Sequence, residues 1–119
     1  MRRWVLATMM VAGCVGTAAA GERVQSGSMT LDLPAGLQAG SAYIPDENPM
    51  SPAKVALGRV LYFDKRLSSD DTVSCGTCHD PAHGWAEPRK TSTGIDGKVG
   101  GRNAPTVINR LFSKEQFWD

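Results

Sequence analysis

The chain has 119 residues, with 13 basic and 12 acidic side chains and a formal charge of +1, which leaves no basic footprint for nucleic acid. Three cysteines are too few for a disulfide framework, and no apolar run is long enough to make a good membrane span. A chain of this size makes one small domain whose own core is marginal.

Residues 1–20 read as an export signal. Met1-Arg2-Arg3 is followed by an apolar run from Trp4 to Val15, and Ala18-Ala19-Ala20 forms a cleavage site before Gly21. Two alternatives overlap it: Val11-Ala12-Gly13-Cys14 fits lipoprotein processing at Cys14, and Arg2-Arg3 is a faint twin-arginine signal, with Sec export the better reading. Without Arg2 and Arg3 the basic count falls from 13 to 11 against 12 acids, a charge of −1, and a periplasmic location is expected.

Residues 21–50 form a polar lead rich in Gly, Ser and Pro, with one short alternation at Met29-Thr30-Leu31-Asp32-Leu33 that makes a strand at most. Ser51 then caps a helix with Pro52 at its first position. Ala53, Leu57, Val60 and Leu61 fall on one face, and the helix is expected to end near Phe63. A charged connection runs from Asp64 to Asp71, and Ser74 caps a brief helix over the next turn.

That turn is Cys75-Gly76-Thr77-Cys78-His79, the attachment signature of a c-type haem. Thiols three residues apart share one side of a helical turn, where each can add across a porphyrin vinyl group. An imidazole four residues from Cys75 is then aimed at the iron. A redox disulfide would need alternating strands and helices around it, and structural zinc a second ligand pair; the sequence offers neither. His83 as a fourth zinc ligand would crowd four donors into nine residues. With both thiols used by the cofactor, folding is expected to depend on it.

Pro81 turns the chain away after His79, and a glycine-punctuated loop continues to Arg102. Gly94-x-x-Gly97-x-x-Gly100 is not a phosphate loop, because no strand feeds it. Pro105 is expected to open another short helix burying Val107, Ile108, Leu111 and Phe112. Gln116-Phe117-Trp118-Asp119 reads as an interrupted end. No Met follows the haem motif. Met29 and Met50 lie in irregular sequence, and His83 is only four residues past His79, so an open distal side is inferred.

Several stretches together are specific. They are Asn48-Pro49, Lys54 to Asp64, Arg66-Leu67-Ser68, Cys75 to Pro81, Arg102-Asn103-Ala104-Pro105-Thr106 and Gln116 to Asp119. From Ile44 onward the chain resembles the N-terminal haem domain of the bacterial di-haem cytochrome c peroxidase and MauG family. The resemblance implies a mostly α, cytochrome c-like haem domain with long irregular loops over residues 51–119 and a C-terminal domain not represented. It implies that Cys75 and Cys78 attach haem c and that His79 is the proximal ligand. It also implies that Asn103 ligates a calcium ion between two haem domains and that Trp118 lies on the inter-haem electron path.

Hydrogen peroxide, a small periplasmic donor such as a cytochrome c or cupredoxin, and a homodimer of the longer protein follow as expected partners. The family's distal Gln and Glu would fall beyond Asp119. Some of its peroxidases block the distal side with a loop histidine, whereas Gly94-Ile95-Asp96-Gly97-Lys98-Val99 contains none. That favours the MauG-like subgroup or a peroxidase that needs no reductive activation. A mono-haem electron carrier is the alternative from another class.

Overall fold

The computed structural model describes residues 21–116. Regular structure is the minority: two short strands, two α-helices and several 3-10 turns are strung along loops. The mostly α expectation therefore holds only in that helix exceeds strand.

Strand β1 (Arg23–Ser26) pairs antiparallel with β2 (Met29–Asp32), Val24 opposite Leu31 and Ser26 opposite Met29. The sequence expectation of one strand was half the element. Its partner carries a single apolar residue, Val24, and so shows almost no period. The turn supplies what the strand lacks. Gly27 sits at φ 54° in the first central position of a two-residue connection, where a II′ hairpin requires glycine. Ser26 Oγ accepts the Met50 N–H at 3.1 Å and the Ser28 N–H donates to the Met50 carbonyl, so the hairpin is laced to the start of the first helix.

Helix α1 (Pro52–Phe63) has the bounds its sequence predicts. Ser51 is extended and its hydroxyl accepts the Lys54 N–H, while Pro52 occupies a position whose N–H has no helical partner. Lys54 Nζ reaches back to Asn48 Oδ1 (2.8 Å) and the Pro49 carbonyl (2.9 Å), clipping the lead to the helix. At the other end Asp64 stops α1 and starts a 3-10 turn, its carboxylate accepting from the Arg66 main chain and guanidinium. That guanidinium holds the Asp64 carboxyl below its ordinary range.

Helix α2 (Cys75–Cys78) is one turn long, with the Thr77 hydroxyl accepting the N–H of Ser74 at 2.9 Å. It packs on α1 through Phe63: a Cβ at Gly76 would lie 2.7 Å from the Phe63 ring, so any larger residue there must displace that ring. Tyr62, Phe63 and Trp85 form an aromatic cluster, Tyr62 lying 5.0 Å from Phe63 and 5.5 Å from Trp85 in edge-to-face contact. Among the described residues Leu33 is the one buried hydrophobic side chain.

After α2 the chain closes a loop on itself. Asp80 and Ala86 form an antiparallel bridge, and Trp85, at φ 61°, donates its N–H to the Asp80 carbonyl at 2.8 Å. Residues 92–102 make a second closed loop, with Gly100 donating to Ser92 and Ser92 to Arg102.

The helix expected from Pro105 does not form. Only Arg110–Phe112 coils, as a 3-10 turn, and Ile108, expected inside, is 54% exposed. The backbone of this stretch is engaged elsewhere: the Ala104 carbonyl accepts from the Glu87 N–H and the Ile108 N–H donates to the Thr106 hydroxyl. An α-helix would need those same groups for its own ladder.

Candidate haem-attachment site

Cys75 is exposed and Cys78 half-buried, both unpaired, on the single turn of α2. Burial pushes the Cys78 thiol up, and Ser92 and Glu87 lie within hydrogen-bonding reach of it. The His79 N–H closes the turn on the Cys75 carbonyl at 2.9 Å, which places the imidazole directly after the second thiol.

Both sides of His79 are held. Its main-chain carbonyl accepts from the Tyr62 hydroxyl at 2.8 Å, and its Nδ1 lies 2.8 Å from the Pro105 carbonyl oxygen. A carbonyl can only accept, so Nδ1 carries a proton, and in the neutral ring the lone pair falls on Nε2. That is the tautomer a metal needs, oriented by the outer contact that raises a ligand's basicity.

His83 belongs to the turn after the motif. Its Nδ1 is 3.0 Å from Asp80 Oδ2, while Asp80 Oδ1 accepts the Ala82 N–H. The Ala82 N–H and then His83 hold the Asp80 carboxyl low. Met50 engages the hairpin through its main chain.

Asn103 sits opposite Glu87 and Arg89. Its amide nitrogen donates to the Glu87 carbonyl at 2.9 Å and to the Arg89 carbonyl at 2.6 Å. No group of three or more His, Cys, Asp or Glu side chains able to hold a metal occurs among the described residues. Calcium takes six to eight oxygens. Both Asn103 bonds use the amide nitrogen, and its side-chain oxygen is a ligand of the kind calcium takes. Trp118, Cys14 and the export signal lie outside the described residues.

Glu87 escaped the sequence reading. It is 6% exposed, its carboxylate gripped by Arg89 through Nε at 2.5 Å and the terminal nitrogen at 3.2 Å. Arg89 holds the Glu87 carboxyl below its usual range. The spacing Glu87-Pro88-Arg89 was the available signal, and such pairs are common on solvated loops.

The residues present fit a haem. Two unpaired thiols and an imidazole whose Nδ1 is held by a carbonyl lie on one turn, next to a helix that leaves Val60 59% and Leu57 57% exposed. A porphyrin supplies the apolar surface that the described residues, with so little interior, need.

Comparison with known proteins agrees. The family model of di-haem cytochrome c peroxidase matches residues 52–119. The chain belongs to this family. Its members bind haem c. Over 76 residues the chain is 54% identical to a cytochrome c peroxidase of Escherichia coli, covering 64% of this chain and 16% of that protein. Over 75 residues it is 41% identical to the methylamine utilization protein MauG of Methylorubrum extorquens, covering 63% and 21%. The crystal structure of a MauG-like protein associated with microbial copper homeostasis superposes with a TM-score of 0.57 at 40% identity, over 59% of this chain and 22% of that one. The chain thus spans about a fifth of the length of the relatives it matches.

Proposed function

We propose that Cys75 and Cys78 attach one haem c through thioethers, that His79 Nε2 is the proximal iron ligand, and that this haem is the peroxide-reducing centre of a periplasmic di-haem peroxidase. The observation that carries the reading is the His79–Pro105 contact, which fixes the ligating tautomer directly after the Cys-x-x-Cys turn. When bound, the haem supplies two-electron chemistry for reducing hydrogen peroxide to water. The chain's own residues anchor it, aim the imidazole and strengthen its donation to iron through the Nδ1 hydrogen bond. Electrons come from a small cytochrome c or cupredoxin, with Trp118 on the path between haems. Asn103 contributes one oxygen to a calcium ion completed by residues outside the described segment.

A second reading, a MauG-like oxidase of a partner protein, draws support from the loop at residues 92–102. It folds back on its own backbone and carries no histidine to close the distal side. An open distal side accompanies either reading.

Coexpression with haem-maturation machinery tests the assignment. The matured chain should gain the mass of one haem and show a c-type pyridine haemochrome, and the reduced form should bind carbon monoxide. Cys75→Ala with Cys78→Ala should lose the covalent haem. A colourless wild-type product of bare polypeptide mass would refute the reading.

A further inference from the structure

Pro105 reaches His79 from 26 residues downstream, across a loop with little regular structure, yet the contact is a close 2.8 Å. The carbonyl cannot be placed by a helix, since none forms there, nor by a buried core, since Pro105 itself is exposed. What places it is a set of hydrogen bonds on either side. Two residues before it, the Asn103 amide donates to the carbonyls of Glu87 and Arg89. One residue after it, the Thr106 hydroxyl donates to the Gly84 carbonyl at 2.6 Å. The Glu87 N–H to Ala104 carbonyl bond lies between them, and the Val107 N–H to Trp85 carbonyl bond follows directly after. Residues 84–89 are themselves anchored to the motif, because Trp85 and Ala86 close on Asp80, the neighbour of His79.

We propose that Asn103 and Thr106 are positioning residues for His79. Their side chains clasp residues 103–106 to residues 84–89, and the clasp holds the Pro105 carbonyl on Nδ1 and so sets the electron donation of the imidazole to iron. This rests on His79 being the haem ligand, and it gives Asn103 a task separate from cation ligation. The nitrogen of the amide does the clasping, whereas a cation would take its oxygen. Loosening the clasp leaves Nδ1–H to water or to a longer bond, so the imidazole becomes a weaker donor and the ferric state loses stabilisation.

The test uses the full chain matured with haem. Asn103→Asp keeps the shape and an oxygen that can ligate a cation but removes both N–H donors; Thr106→Val keeps the shape and removes the hydroxyl. Lys54→Met, which cuts the distant clip to Asn48 and Pro49, is the control. Both clasp variants should retain covalent haem by mass. Their iron–histidine stretching band in the ferrous five-coordinate state should move to lower frequency, and the reduction potential of Thr106→Val, which adds no charge, should rise. Lys54→Met should match wild type in both.

An unchanged band in N103D and T106V, with an unchanged potential in T106V, would overturn the clasp. A change caused by calcium removal but not by N103D would reduce Asn103 to a cation ligand and overturn it equally. Where a variant fails to accumulate, wild type still decides: a clasped His79 Nδ1 proton exchanges slowly with solvent, and rapid exchange overturns the proposal. Wild type without haem would instead refute the haem reading itself.

Discussion

Tyr62→Phe isolates one hydrogen bond at the back of the candidate site. The phenol donates to the His79 carbonyl at 2.8 Å, while the ring makes edge-to-face contacts with Phe63 at 5.0 Å and Trp85 at 5.5 Å. Phenylalanine keeps both ring contacts and removes only the donor to a carbonyl at the end of α2. A typical net hydrogen bond is worth about 1 kcal/mol. Tyr62→Leu removes the two ring contacts as well, each worth about 0.5–1.5 kcal/mol, so its cost should be about 2–4 kcal/mol. Urea unfolding of the haem-loaded protein reads both. With a slope of about 1–2 kcal/mol/M, Y62F should lower the midpoint by roughly 0.5–1 M, and Y62L by two to four times as much.

The same side chain predicts an alkaline limb. Burial raises the Tyr62 phenol above its ordinary 10.0, and the charge of Cys75, the second cause, disappears once its sulfur is a thioether. The phenol's contribution is therefore fully present below the unfolded value and lost as pH rises through the folded one. Wild type should weaken above about pH 10 by more than Y62F does. Equal stability of Y62F and Y62L, or an unchanged midpoint in Y62F, would refute the assignment of these energies.

Two further outcomes concern the neighbours. Gly76→Ala places a methyl 2.7 and 2.8 Å from two Phe63 ring atoms, and although the half-exposed ring can swing aside, overpacking of about 1–3 kcal/mol is expected in the same unfolding assay, with a changed near-ultraviolet aromatic signal. Glu87, held low by Arg89, should contribute stability above its unfolded pKa that disappears as pH falls through the folded value, so an acid titration of unfolding midpoints should show a step that Glu87→Gln lacks.

Local signals carried the sequence reading where local forces decide. Ser51, Pro52 and the period from Ala53 to Leu61 set the bounds of α1, because a cap and a fixed φ act within one turn. Cys75 to His79 were legible for the same reason: their chemistry depends on spacing within a turn. What stayed hidden depends on remote partners. Residues 104–108 look helical after a proline, but the groups of the first helical rung are taken elsewhere, the Ala104 carbonyl by Glu87 from far earlier in the chain and the Ile108 N–H by the Thr106 hydroxyl. The burial of Glu87 and the reach of Pro105 to His79 are settled by how that same loop closes. β1 failed the periodicity test because its register is set by Gly27 and its partner strand, not by its own pattern.

Trp85 holds a bulky indole on left-handed backbone, at φ 61°, a conformation that costs a non-glycine residue roughly 1–3 kcal/mol. Glycine would relax the main chain there and delete the ring contacts with Tyr62 and Phe63 in the same stroke. Two ring contacts at about 0.5–1.5 kcal/mol each offset a strain of that size. Directed evolution at this codon therefore faces opposed demands, and small residues other than glycine, which keep the strain and lose the contacts, should be rejected. Libraries that must keep the aromatic triad should retain the indole and seek relief in its flanks.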